Sequence, residues 1–176
     1  QDMTCVVAIE TAEGVLFGTD SGISVGDVIT SHGPKLIHKR GVTIAYAGEI
    51  RAAQILEYEI QLPVFPKRMS TEQYLYKNLI EPYRKAVKEG GLAAEHSGLD
   101  CVVAVRGKVW EVTDNYTLLS RPEGYAVAGS GGTIARGALE ALADWEPKQR
   151  AERALRISEK FCSSVKGPFY FYLATG

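Results

Sequence analysis

Met3-Thr4-Cys5-Val6-Val7-Ala8-Ile9, Thr11-Ala12-Glu13-Gly14 and Val15-Leu16-Phe17-Gly18-Thr19-Asp20-Ser21 follow closely on one another near the head of the chain. Residues 4–10 and 15–19 are apolar and β-branched, and a Gly-containing turn joins them, so they read as a β-hairpin. The hairpin runs from a hydroxyl at Thr4 to a carboxylate at Asp20, and Lys35 opens the next apolar run. A hydroxyl so near a chain start can be activated by its own α-amine, with no histidine.

Working outward, Gly22, Gly26 and Gly33 punctuate a loop, and residues 35–39 and 42–47 form a second strand pair around Arg40-Gly41. Ile50, Ala53, Leu56 and Ile60 recur at helical spacing, and the breaks at Leu62-Pro63 and Phe65-Pro66 end that helix. Ser70 or Thr71 caps a second helix to about Glu89, with Leu75, Leu79, Tyr83 and Val87 on one face and a kink expected at Pro82. Residues 99–105 and 108–112 form a hairpin across Arg106-Gly107, and 125–128 is a short strand leading into Gly129-Ser130-Gly131-Gly132. A third helix follows over about 133–143, a fourth from Pro147 to about Ser164, and 169–173 is a closing strand. Hairpins segregated from helices imply an α+β fold in packed layers. Pattern alone does not fix the number of layers.

The chain has 176 residues, enough for one domain with a sizeable core. A net charge of −1 gives no field for nucleic acid or an anionic membrane. No apolar run reaches the roughly 18 residues of a membrane span, and the first residues do not read as a signal peptide. Cys5, Cys101 and Cys162 lie in apolar surroundings and read as free thiols in a reducing cytosol. His32, His38 and His96 have no metal-ligand spacing, so no zinc site is expected.

The ordered parts resemble the proteasome β-subunit group of N-terminal nucleophile hydrolases, with a close likeness to the bacterial ring peptidase HslV. They are Thr4 opening a strand, Gly18-Thr19-Asp20-Ser21, Lys35 at a strand start, Ala45-Tyr46-Ala47-Gly48 before a helix, and Ala128-Gly129-Ser130-Gly131-Gly132 before another. The resemblance covers nearly the whole chain from Thr4. It implies a four-layer αββα sandwich, two antiparallel sheets between helix pairs, and a single domain over residues 4–176. It implies peptide-bond hydrolysis with no cofactor, on unfolded protein or peptide, inside a homo-oligomeric ring of six or seven subunits, single or stacked, or in an open spiral. An ATP-driven unfoldase is the expected partner, and the cytoplasm the expected place.

By the same resemblance Thr4 is the nucleophile, Lys35 the cation that tunes it, and Asp20 the partner that holds Lys35 charged. Gly48 donates its N–H to the oxyanion, and Ser130 hydrogen-bonds the α-amine. The Asp-to-Lys interval is about one residue shorter than the family's, a deletion that the loop at Gly33-Pro34 would absorb. Lys39, further along the strand, is a weaker candidate. Ser163 matches a supporting serine after the fourth helix, with Ser164 the alternative register. Lys160 stands where the family has an Asp, and Glu159 beside it points about 100° away on a helix. Tyr46 either floors the primary pocket or is a core tyrosine. Without the resemblance, the glycine loop before a helix also suits a phosphate, although it lacks the Lys-Ser/Thr of a P-loop.

Gln1, Asp2 and Met3 precede Thr4. They read as a tag remnant or a short propeptide, and with them attached the α-amine of Thr4 is locked in a peptide bond, so that form is expected to be inactive or nearly so. Two other functions compete: a ring-forming subunit that lost activity, and an amidase using Cys5 after removal of Thr4.

Overall fold

The computed structural model describes residues 4–25 and 28–175. The readings of Gln1, Asp2 and Met3 as tag or propeptide, and of Gly26 as a loop glycine, lie outside them. Strands β1 (Val6–Glu10) and β2 (Val15–Thr19) form the expected hairpin. With β10 (Tyr125–Ala128) and β11 (Tyr170–Ala174) they build an antiparallel sheet in the order β10-β1-β2-β11. The second sheet is β5 (Leu36–Lys39), β6 (Val42–Gly48), β7 (Leu99–Val105), β8 (Lys108–Val112) and β9 (Leu118–Ser120), in that order and antiparallel throughout.

Three core clusters make four layers. Val6, Ala8, Phe17, Ala45, Ala47, Val102, Ala104 and Ala126 meet between the sheets. The alternate residues Cys5, Val7 and Ile9 face the other way, onto Leu139, Ala151, Ala154 and Leu155 of α4 (Gly132–Ala141) and α5 (Pro147–Phe161). Ile44, Tyr46, Cys101 and Val103 pack against α1 (Ile50–Glu59), α2 (Thr71–Leu75) and α3 (Glu81–Glu89). Strands buried on both faces are apolar at consecutive positions, which is why β1 and β7 show no polar alternation. The fold is the expected αββα sandwich.

The helix expected from Ser70 to Glu89 is there, with a capping box between Ser70 and Gln73. The break expected at Pro82 is a π-helical turn, Tyr76–Ile80, placed just before it. Pro82 has no N–H for the residue four back, and the wider turn moves that carbonyl away from its ring. Leu75, Leu79, Tyr83 and Val87 stay on the buried face.

Two strand pairings differ from the sequence reading. The stretch after Ser21, read as a loop, contains β3 (Gly22–Val25) and β4 (Val28–Ser31), a two-stranded sheet of its own. Strands of four residues are too short for a period to show in the sequence. β9 was also missed, being only three residues long. No helix among the described residues is long and apolar enough to cross a membrane.

Candidate active site

The β1–β2 hairpin determines where Thr4 and Asp20 meet. Val6 pairs with Thr19, so the residues just outside the pair lie side by side. Asp20 N–H donates to the Cys5 carbonyl at 3.1 Å, and Cys5 N–H donates to Asp20 Oδ1 at 3.2 Å. From the other sheet, Tyr46 N–H donates to the Lys35 carbonyl at 3.1 Å and fixes the start of β5. The Lys35 side chain then crosses between the sheets. Its Nζ donates to Thr4 Oγ1, to Asp20 Oδ1 at 3.5 Å and to the Gly22 carbonyl at 2.6 Å. All three are oxygen acceptors, the partners an ammonium donates to. Thr4, Asp20 and Lys35 are 3%, 0% and 2% exposed, so the interaction is not dispersed by solvent.

Burial pushes the Asp20 carboxyl above its usual range, against the pull of Lys35 and of the N–H groups of Lys166 and Cys5. Lys166 N–H reaches Asp20 Oδ2 at 3.1 Å. Three donors therefore surround a carboxylate that desolvation alone would neutralise. Lys35 Nζ thus bridges Thr4 Oγ1 and Asp20 Oδ1.

The glycine run explains itself by close approach. Gly129 has φ +90°, and a Cβ there would stand 2.2 Å from the Thr4 carbonyl oxygen. Gly131 N–H donates to that same oxygen at 3.2 Å. The buried Ser158 of α5 donates its hydroxyl to the Gly131 carbonyl at 2.9 Å, locking the peptide that grips Thr4. The loop thus packs on the Thr4 main chain, a use of glycine that requires no phosphate.

Gly48 ends β6 with φ +124°. Tyr46 N–H points toward β5, and Glu49 N–H bonds Gly98 on the β7 side. By alternation along the strand, Gly48 N–H points the same way as that of Tyr46, toward the side from which Lys35 enters. Ser130 lies between the two glycines that touch Thr4, and its Oγ is 2.7 Å from Ser164 Oγ. Ser163, by contrast, is exposed in the turn after α5. The register that brings a serine to Ser130 is the alternative one, through Ser164, because α5 ends at Phe161 and the turn swings the following side chains.

The remaining candidates go elsewhere. Lys160 is exposed on α5 with its ammonium 5.3 Å from the Phe161 ring centre. Glu159 Oε1 accepts from Gly167 N–H at 3.1 Å. Lys39 donates to the carbonyls of Glu57 and Ile60 at 2.6 and 2.7 Å, closing the C-terminal end of α1. Tyr46 is a core tyrosine, 7% exposed among the helices. Cys5 is fully buried toward α4 and α5, and burial pushes its thiol up to about 12, which opposes the amidase reading. The contributions of Gly22, Lys166 and Ser158 were not foreseen. The first two act through backbone groups, which residue type does not reveal, and nothing about Ser158 distinguishes it from other helix serines.

The chain aligns with BPH of Thiobacillus denitrificans in complex with epoxomicin at a TM-score of 0.80 and 17% identity, over 98% of this chain and 100% of that one. It aligns with HslV of Trypanosoma brucei at 0.70 and 18%, over 98% and 99%. The fold is that of HslV. The helical assembly of the Anbu complex from Pseudomonas aeruginosa aligns at 0.71 and 14%, over 97% and 81%. No family model matches the sequence. At these identities the likeness is one of fold.

Proposed function

We propose that this chain is a threonine peptidase acting on unfolded protein or peptide, with Thr4 as nucleophile once it carries a free α-amine. The observation that carries the reading is the contact of the buried Lys35 ammonium with Thr4 Oγ1, backed by Asp20. In the reaction, Oγ attacks the scissile carbonyl carbon while its proton passes to the α-amine, directly or through a water. An α-amine titrates near about 7.7–8.0 and is substantially neutral at working pH. Gly48 N–H is the donor on the side where the oxyanion forms. The ammonium then returns the proton to the leaving amine, and water hydrolyses the Thr4 ester. These residues carry out the cycle without a cofactor.

Enclosure in a homo-oligomeric assembly and supply by an ATP-driven unfoldase belong to the same proposal. The Anbu neighbour, a helical assembly, supports the homo-oligomeric part of it. The free thiols of Cys5, Cys101 and Cys162 suit a reducing cytoplasm.

One observation favours a second reading, a silent scaffold subunit. Lys160 stands where a carboxylate was expected and is exposed. The test is hydrolysis of a fluorogenic peptide and of an unfolded protein by material whose first residue is confirmed as Thr4 by mass spectrometry. Wild type is compared with Thr4→Ala, and assembly is followed by sedimentation. Activity abolished in the variant supports the peptidase. Equal activity in both removes Thr4 from the chemistry. No activity in either, with assemblies intact and a candidate unfoldase added, supports the scaffold.

A further inference from the structure

The inward face of the second sheet carries a carboxylate that the mechanism above does not use. Val102 and Ala104 of β7 face the first sheet, and by alternation Asp100 points the same way. Its partner across the ladder is Ala47, which lies in that same inter-sheet core. A Cβ on Gly129 would meet Ala47 Cβ at 3.0 Å and the Thr4 carbonyl oxygen at 2.2 Å. Asp100, Ala47, Gly129 and Thr4 therefore form a row of neighbours.

A cavity of about 200 Å³ opens there, between the ends of β7 and β8 and the end of β10. Asp100, Glu111, Thr113, Gly129 and Arg136 are among the residues that line it. The two carboxylates differ. Glu111 is buried and engaged: Arg121 and Arg136 donate to it, the latter at 2.6 Å, and Val127 N–H donates at 2.9 Å. Asp100 is half-buried and accepts from Asp114 N–H at 2.9 Å, and among the described residues no cation pairs with it. Burial, with Asp114 and Glu111 nearby, holds its carboxyl above the ordinary value. A core-facing carboxylate without a counterion, at the mouth of a cleft, is a group that a cationic ligand relieves.

We propose that this cavity is a substrate subsite that takes a lysine or arginine side chain close to the scissile bond, with Asp100 as the residue that selects it. The proposal rests on the reading of Thr4 as nucleophile and names the class of peptide that it would cut. Gly129 both lines the cavity and touches Thr4, so a peptide held at Thr4 has the cavity within reach of a long side chain. The stem of that side chain lies along Ala128 and the backbone of Gly129 and Gly132, and its cation meets Asp100. Arg136 does not fill this role, because Glu111 holds its guanidinium.

Quenched fluorescent peptides test the subsite, with Lys, Arg, Met or Glu placed in turn at each position on either side of the cleaved bond. They are given to Thr4-exposed wild type, to Asp100→Asn and to Glu89→Gln, an exposed carboxylate at the end of α3 that serves as control. Asparagine keeps the acceptor for Asp114 N–H and removes the charge. At one position wild type is expected to favour Lys and Arg over Met about tenfold in kcat/KM, the low end for a charge-assisted hydrogen bond. That preference is lost in Asp100→Asn and kept in Glu89→Gln. A wild type that prefers Glu or shows no preference, or a preference that survives in Asp100→Asn, overturns the inference and leaves the peptidase reading standing.

A second readout is independent of turnover. Fluorescence anisotropy of the same peptides on Thr4→Ala is expected to show Lys bound about tenfold tighter than Met, with the difference removed by adding Asp100→Asn. If wild type cuts no peptide, the peptidase reading falls and this comparison decides the subsite alone. Tighter binding of Lys that depends on Asp100 upholds it, and equal binding of Lys and Met overturns it.

Discussion

Replacing Lys35 by Met removes a charge from the centre of the molecule and leaves its partner behind. Methionine fills a similar volume, so little packing is lost. Asp20 keeps the N–H groups of Cys5 and Lys166 but loses the ammonium at 3.5 Å, while remaining fully buried. Stranding one partner of a buried pair costs about 3–5 kcal/mol. For a chain of this size that corresponds to a fall in Tm of roughly 6–20 °C.

The loss depends on pH in a direction that follows from Asp20. Burial already raises its carboxyl above the ordinary value, and without Lys35 it rises further. Between the unfolded and the folded value the folded state binds more protons than the unfolded one. Stability then falls as pH rises through that window and is greatest below it. The deficit of Lys35→Met relative to wild type is thus expected to be smaller at pH 5 than at pH 8. Calorimetric melts at the two pH values measure it, with Asp20→Asn/Lys35→Met as the companion. That double variant has no buried charge and loses the pH-dependent part of the deficit. Equal melting of Lys35→Met and wild type at pH 8, or a deficit that grows toward acid, would refute the account of the pair.

Gly129→Ala places a Cβ 2.2 Å from the Thr4 carbonyl oxygen at φ +90°, so overpacking of about 1–3 kcal/mol adds to left-handed strain of about 1–2 kcal/mol. Gly137→Ala, in α4 with open space around its Cβ, gains about 0.5–1 kcal/mol instead. Denaturant midpoints moving in opposite directions are the expected result. Ser70→Ala breaks the capping box at the start of α2 and costs about 1 kcal/mol, or roughly 2–4 °C in a thermal melt, without changing peptide hydrolysis.

The order of strands and helices was legible because its causes are local. The apolar β-branched runs, the turn at Gly14, the cap at Ser70 and the breaks at Pro63 and Pro66 each act within a few residues. The contact of Thr4 with Lys35 was legible only through the resemblance. The two residues stand 31 apart in sequence, and no pattern in the intervening loop announces that Lys35 crosses between the sheets.

The sequence by itself therefore determined an α+β chain of hairpins and amphipathic helices, since period and punctuation are properties of short windows. Only the tertiary structure decided the rest. It brought Ser164 rather than Ser163 to Ser130, because the end of α5 sets that register. It gave Lys39 to the end of α1 and Lys35 to Thr4, though both lie near one strand and carry the same charge. It also enlisted Gly22, Gly131 and Lys166 through backbone groups that every residue type carries. Which of those groups meets a side chain is fixed by how distant segments pack.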